Sequence, residues 1–349
     1  MSKIKILEIE SSKGWGGQEK RTVRLINNLK EDFEVFFAVS KDSELFKRRK
    51  EIKAEFFEVE IKNSLDPRAI LSLIKIVKKL KIDIICTHSG KDGWIGALVG
   101  RLTGRKIVRT RHLLVPIKSP RSYNLSHKVI AISKAVYNYL KNAGVKENKL
   151  ELIYTGIDVS RFVPKKRKMP SNTFRIGIIA VLRAAKRHTF LLDAIKDLDL
   201  EVWIIGDGPQ KRNIQKFVRN HKLENKVKLL GFVEKPEDII PELDVVVLPS
   251  EHEALGTALL EAQSCGIPVI GSDVGGIAEC VVHGKTGLLF EKDNKEDLRN
   301  KILYLKNNPE IRKKMGEEAR KFIEQKFSLE VMVEKTEQLY MKLMENKNG

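Results

Sequence analysis

Twice along the 349-residue chain, apolar runs of four to six residues alternate with amphipathic helical patterns, and no other feature narrows the fold as sharply. In the first half KIKILEIE, FEVFFAVS, IDIICTH, KIVRTRH, KVIAIS and KLELIYTGID are separated by segments such as RTVRLINNLK, PRAILSLIKIVKKLK from Pro67 to Lys81, and GWIGALVGRLTG. Continuous apolar runs bounded by helices are parallel strands covered on both faces, because a helical crossover returns the chain to the same edge. After the basic, proline-containing stretch VPKKRKMPSN the pattern restarts with FRIGIIAVL, HTFLLDAIKDL, LEVWIIGDGP, a helix from Gln210 to Lys222, VKLLGFV, DVVVLPS and PVIGSDVGG. The expected architecture is α/β: two doubly wound, Rossmann-like domains over residues 1–165 and 170–325, followed by a helical tail. The chain from KEDLRN onward is expected to be helical throughout apart from a break at Asn307 to Pro309, with residues 326–349 packing back on the first domain. Two such domains in tandem would face a cleft lined by the carboxyl ends of both sheets, and ligands would bind there.

Charge is distributed unevenly. The chain carries a formal +19, and residues 1–165 hold 34 Lys and Arg against 18 Asp and Glu, a net +16. No acidic residue lies between Asp92 and Glu147. Such a field suits an anionic membrane surface, a phosphorylated substrate or a nucleic acid, although charge enrichment is also a habit of heat-adapted surfaces. No apolar run approaches the roughly 18 residues of a membrane span, and the start, MSKIKILEIESS, lacks the apolar core of a signal peptide. The expected location is the cytoplasm, with docking on the inner face of the cell membrane through the basic first half. Cys86, Cys265 and Cys280 show no metal-ligand spacing and sit beside apolar segments, as reduced core thiols do.

Candidate site residues are those on loops that follow strands. Gly16 and Gly17 in KGWGGQEK lead into a helix and let backbone approach a ligand; the spacing is not the GxGxxG of a dinucleotide fingerprint, which argues against a dehydrogenase. Arg183 and Lys186 in VLRAAKRH follow the first strand of the second domain, where a guanidinium and an ammonium can share a diphosphate. Gly206 in IGDGP marks a turn that brings backbone close to a ligand. Phe232 and Val233 in LGFV are candidates to lie against a flat base, while a buried core ring is the commoner use of such a phenylalanine. In SEHEALGTALLEAQSCG, Glu253, Leu255 and Gly256 form the loop after DVVVLPS, and a helix starts near Thr257 and is closed by Gly266. The amides of Gly256 to Leu259 would then face a phosphate oxygen. Glu261, four residues after Thr257, shares its helix face and can take both hydroxyls of a ribose.

The two glutamates at this spacing, with SCGIPVIGSDVGGIAECVVHGKTGLLF downstream, resemble the signature of family 4 retaining glycosyltransferases of the GT-B fold. The glycine pair with Glu19, VLRAAKRH and IGDGP occur in the same order as in that family, so the similarity covers most of the chain. The resemblance implies transfer of a sugar from a nucleotide-activated donor with retention of configuration, with no cofactor and no metal ion. It implies that Glu261 holds the ribose, that Glu253 and the amides after it hold the donor sugar and phosphate, and that Arg183 and Lys186 stabilise the leaving diphosphate. The family arginine immediately before Leu182 is Val181 here, which leaves Arg183 to supply the guanidinium. His112, after KIVRTR, corresponds to a histidine that contacts the donor sugar or acts near the acceptor hydroxyl, and His88 would help shape the acceptor site. The triplet Asp197, Leu198, Asp199 is similar to a metal-binding DxD, but it precedes its strand and so belongs to a loop at the opposite edge.

The expected function is therefore transfer from an NDP-sugar to a hydroxyl acceptor, lipid-linked or glycan, in cell-envelope polysaccharide, lipopolysaccharide or glycolipid synthesis. An NDP-sugar epimerase of the same fold is the alternative enzyme. A basic nucleic-acid-binding protein is the alternative of another class, but it lacks a recognised reading module, and no nucleic-acid partner is expected.

Overall fold

The computed structural model describes residues 3–169 and 173–345. It divides into two compact units, Met1–Gly156 with Leu329–Gly349, and Ile157–Ser328.

The first unit is built on seven strands: β1 (Ile4–Glu10), β2 (Phe33–Val39), β3 (Glu55–Glu58), β4 (Ile84–Thr87), β5 (Lys106–Arg111), β6 (Lys128–Ala131) and β7 (Leu150–Leu152). Every pairing is parallel, in the order β3-β2-β1-β4-β5-β6-β7. Ile6 and Leu7 point to opposite faces of β1, yet both are fully buried, because helices cover both sides. Leu7, Ile9 and Phe36 pack against Leu73, Val77, Ile95 and Val99 of helices Pro67–Leu80 and Gly90–Thr103. Ile6, Phe33 and Cys86 on the other face pack against Leu25 of helix Gly17–Asn28 and against Met332, Leu339 and Tyr340 of helix Leu329–Glu345. The last helix is also tied by polar contacts, with Glu337 accepting from the Lys30 amide at 2.8 Å and the Tyr340 hydroxyl 3.3 Å from the Cys86 sulfur.

Local chemistry explains the element ends. Asp66 accepts the amides of Arg68 and Ala69, Pro67 occupies the first helical position, and Lys81 adopts a left-handed φ of 56° that stops the helix at Leu80. Helix Gly90–Thr103 lies unusually close to the sheet because its inner face carries glycine: a Cβ on Gly96 would come 2.3 Å from Thr87 Cγ2, and one on Gly100 would come 2.3 Å from Ile107 Cγ1.

The second unit has six strands, β8 (Arg175–Ile179), β9 (Glu201–Ile205), β10 (Val227–Gly231), β11 (Val245–Leu248), β12 (Val269–Ser272) and β13 (Gly287–Phe290). They are parallel in the order β10-β9-β8-β11-β12-β13. Ile176, Ile178, Val202, Ile204, Val245 and Val247 form a core with Leu191, Ile214, Leu298 and Met315 of the covering helices. In both sheets the strand order reverses next to the first strand, between β1 and β4 and between β8 and β11, and a doubly wound sheet opens its ligand crevice at that switch.

Two boundaries differ from those expected. The division falls at Gly156 and Ile157, before the basic linker, whereas the expected one falls within it, between residues 165 and 170. That linker belongs to the second unit because it meets the acidic run PEDIIPELD: Arg161 forms a bidentate pair with Glu237 at 2.7 and 3.1 Å, Lys165 reaches Asp238 at 2.9 Å, and Arg167 reaches Asp244 at 2.7 Å. The expected domain start at residue 170 lies outside the described residues. The tail also has a second break, at Phe327 and Ser328, where the chain pairs with Ile157 through an isolated parallel bridge and the Ile157 amide donates to the Phe327 carbonyl at 2.8 Å. The final helix therefore runs over Leu329–Glu345, not from residue 326.

Gly96→Ala drives a methyl group into buried Thr87 and is expected to cost about 1–3 kcal/mol of stability, the range for overpacking a filled core. Gly90→Ala, whose Cβ would meet nothing within 4 Å, is expected to be neutral or slightly stabilising. Thermal unfolding of the two variants checks the pair; equal melting temperatures would remove the close-approach explanation.

Candidate active site

In β1 the sequence LEIE puts Glu8 and Glu10 on one face by the two-residue period of a strand, at its carboxyl end. Both are almost fully buried. His88 Nε2 lies 2.7 Å from Glu8 Oε2, and His88 Nδ1 lies 3.2 Å from His112 Nε2. Strand β1 and the loops after β4 and β5 thus contribute to one buried line. Burial opposes the charged form of His88, but the charge and hydrogen bond of Glu8, helped by Glu10 and Asp92, outweigh it and raise the His88 pKa. His112 is pushed well below its ordinary value by burial and by the positive charges of His88, Arg21 and Arg111. Arg21 is 1% exposed, and none of its three side-chain nitrogens has a hydrogen-bond partner; burial pulls it down to about 10 against the pull of Tyr340 and Glu8.

Glu10 holds the loop that follows it, accepting from the Ser12 amide at 2.8 Å and from Gln18 Nε2 at 2.5 Å. Burial first, then the charge of Asp92, raises Glu10 to about 8. Asp92 itself caps helix Gly90–Thr103 from inside, accepting the amides of His88, Ser89 and Gly93. Gly16 and Gly17 begin helix Gly17–Asn28, but the Gly16 amide donates to Glu19 Oε2 at 2.7 Å, so it is engaged by its own helix, and neither glycine has the positive φ that would demand one.

In the second unit the loops after β8 and β11 face each other across the strand-order reversal. The Glu251 amide donates to the Ala185 carbonyl at 2.8 Å, and Lys186 and Glu253 form an ion pair between the two loops, with their side chains 22% and 18% exposed. The sequence places Lys186 at the diphosphate and Glu253 at the donor sugar and phosphate, and the structure brings the two side chains into direct contact. Arg183 is exposed, beside a buried Leu182. Gly206 and Gly208 serve the chain itself: at φ 143° and 156° they let the turn press on the loop after β8, where a Cβ on Gly206 would come 2.0 Å from the Ala180 carbonyl oxygen. Phe232 is 61% exposed, not a core ring, and Val233 beside it is half-buried.

Helix Thr257–Ser264 starts where expected, after buried Leu255 and Gly256. Its first amides are less open than the sequence implied: Thr257 donates to the Leu255 carbonyl and Leu259 to that of Gly256, each at 2.9 Å. Glu261 is half-buried, and its charge acts on Arg161, which is held by Glu237. Asp197, of the DLD triplet, is bidentate to Arg299 at 2.6 and 2.7 Å. Among the described residues no three His, Cys, Asp or Glu side chains come together as a metal site. The three cysteines are free and buried.

Glu8, Glu10, Arg21 and Asp92 escaped the sequence reading. A signal existed: two glutamates on one face of a strand that must be covered on both sides. Because Glu10 binds its proton more tightly in the folded protein, its contribution to stability is complete below its ordinary 4.5 and is lost as pH rises through about 8. Glu10→Gln, neutral and isosteric, is expected to melt higher than the parent above about pH 8, with the difference shrinking toward 4.5. Melting curves across that window check it, and a difference independent of pH would refute it.

Comparison with known proteins matches residues 15–161 to the model of Glycosyltransferase Family 4 and residues 159–322 to that of Glycosyl transferases group 1. N-acetyl-alpha-D-glucosaminyl L-malate synthase of Bacillus anthracis is 30% identical over 305 residues, covering 79% of each chain. The UDP-Gal:alpha-D-GlcNAc-diphosphoundecaprenol alpha-1,3-galactosyltransferase of Escherichia coli is 28% identical over 315 residues, covering 81% of each. The crystal structure of a glycosyltransferase from Rickettsia africae ESF-5 superposes with a TM-score of 0.90 at 26% identity, over 99% of this chain and 100% of that one. Two parallel-sheet α/β units of the GT-B type, matched along nearly their whole length, make this chain a glycosyltransferase of family 4 and of the group 1 glycosyl transferases.

Proposed function

We propose that the protein transfers a sugar from a nucleoside-diphosphate sugar to a hydroxyl acceptor with retention of anomeric configuration. The observation that carries this reading is the Lys186–Glu253 pair spanning the loops after β8 and β11, at the switch point where a doubly wound sheet binds its ligand. A diphosphate arriving there meets Lys186, with Arg183 exposed nearby, and takes over the ammonium that Glu253 holds in its absence. Glu253 is then released to accept hydrogen bonds from the hydroxyls of the donor sugar. Glu261, one helical turn beyond Thr257, takes the ribose, and Phe232 with Val233 offers a surface for the base. The printed name of the Escherichia coli relative, which uses UDP-Gal, supports a nucleotide-sugar donor.

Departure of the diphosphate leaves an oxocarbenium-like centre, and the acceptor hydroxyl enters from the same face. The hydroxyl proton goes to the leaving phosphate or to His112, so the step needs no strong carboxylate base. Cationic side chains, with the helix dipole behind them, take the charge that develops on the diphosphate. We expect the rate to be unchanged by chelators. An epimerase would return altered donor when no acceptor is present, whereas a transferase would hydrolyse it slowly.

A lipid-linked acceptor fits the basic first half. Leu113 and Val115 are exposed on the loop after β5, next to exposed Lys118 and Arg121, within the stretch that carries no acidic residue. Apolar tips among cations suit an anionic leaflet. Among the described residues no helix is long and apolar enough to cross a membrane.

Glu261→Ala is expected to raise the donor KM by about ten- to a hundredfold, the worth of hydrogen bonds to a charged group; unchanged donor affinity would sink the ribose assignment. Leu113→Ser with Val115→Ser is expected to weaken sedimentation with anionic vesicles and to leave neutral vesicles unbound. Equal partitioning of the parent to both kinds of vesicle would remove the membrane reading.

A further inference from the structure

Glu8, His88 and His112 form a hydrogen-bonded line with no break, and all three are buried. A carboxylate oxygen only accepts, so at 2.7 Å the proton of that contact sits on His88 Nε2. Neutral His88 then offers a bare Nδ1; Thr22 Oγ1 lies 3.4 Å from it but donates its own proton to the Gln18 carbonyl at 3.1 Å, so the 3.2 Å contact is completed by a proton on His112 Nε2. His112 Nδ1 is left as the ring nitrogen that can meet a substrate.

We propose that Glu8 and His88 are positioning residues that present His112 Nδ1 as a proton acceptor, and that the proton it takes is matched by transfer of the His112 Nε2 proton to His88 Nδ1. The proposal rests on the reading that His112 acts on the acceptor hydroxyl. In that step the hydroxyl O–H bond breaks and its electron pair stays on oxygen to form the glycosidic bond. An N–H bond forms at His112 Nδ1, the Nε2–H bond breaks, and an N–H bond forms at His88 Nδ1. His112 ends neutral in its other tautomer, and the positive charge rests on His88 against the Glu8 carboxylate. Loss of that proton to solvent resets both rings.

The surroundings favour charge at His88 over charge at His112. Glu8 and Glu10 from β1 and Asp92 from helix Gly90–Thr103 act on His88 with negative charge. Arg21 from helix Gly17–Asn28 and Arg111 from β5 act on His112 with positive charge. Cys86 of β4 and Tyr340 of helix Leu329–Glu345 face Glu8 from the far side, and burial keeps both of them protonated. A hydroxyl proton that stayed on His112 would place a cation beside Arg21, whereas one passed inward lands beside Glu8.

Nitrogen NMR of the imidazoles in the full chain tests the proton placement without any variant. On lowering the pH, His88 is expected to become imidazolium first while His112 stays neutral; protonation of His112 before His88 would overturn the proposal. Kinetics test the coupling, with hydrolysis of whichever of UDP-glucose, UDP-galactose and UDP-N-acetylglucosamine most stabilises the protein on heating, and water as acceptor. Glu8→Gln is expected to lower kcat about a hundredfold, within the range of proton-transfer catalysis, with donor KM unchanged. Combining it with His112→Gln is expected to cost no more than the single change, because both break one chain. Full additivity, or parent kcat in a folded Glu8→Gln protein, would refute the relay. If His112→Gln alone keeps the parent kcat, the role of His112 in transfer fails, while the NMR titration still decides where the proton sits.

Discussion

Parallel strands covered by helices on both faces leave a sheet only one edge for chemistry, and both units of this protein obey that constraint. Side chains in the middle of β1 or β8 are enclosed by apolar neighbours, so polar groups can be solvated or paired only where strands end in loops. His88 and His112 sit just beyond two strand ends of the first sheet, and Glu8 lies in the last turn of pleat before the end of β1. Lys186 and Glu253 follow two strand ends of the second. In each sheet the groups flank the place where strand order reverses, because there two loops diverge to opposite faces and leave room between them.

Close backbone packing is what holds these loops. Gly206 and Gly208 turn with positive φ so that the Asp207 carbonyl accepts the Leu182 amide, and the Leu182 carbonyl accepts the Gln210 amide. The loop carrying Arg183 and Lys186 is therefore braced by its neighbour before any ligand arrives. In the first unit Asp92 performs the same service, collecting three amides around the turn that carries His88. Glycines at 93, 96 and 100 bring that helix down onto β4 and β5. Burial of Arg21 and Glu8 beneath this frame is costly, and such groups persist where their fields set the protonation of a neighbour.

Much of the fold was legible because it rests on local periodicity. The helix at Pro67 announced itself with a leading proline and an apolar stripe, and its end shifted by a single residue where Lys81 took a left-handed turn. Most strand identities followed from run length, but β3 (Glu55–Glu58) and β13 (Gly287–Phe290), each four residues long at a sheet edge, were missed. The linker was misplaced because a basic, proline-containing run looks solvated until its acidic partners, Glu237, Asp238 and Asp244, some seventy residues away, are brought alongside. The break at Phe327 was invisible for a similar reason, since only pairing with Ile157 interrupts an otherwise helical pattern.

For the candidate site the division is just as physical. Spacing within one element is local, so Glu253, Thr257 and Glu261 could be set on a loop and a helix face from the sequence alone, and the strand-alternation pattern determined the doubly wound class. Which groups touch is not local. The pairing of Lys186 with Glu253 and the line from Glu8 through His88 to His112 each depend on how a side chain is aimed once helices have packed. Sequence determined which residues reach the strand ends, because periodicity dictates that; tertiary structure decided which of them share a proton or a charge, because that depends on distances between residues up to 80 positions apart.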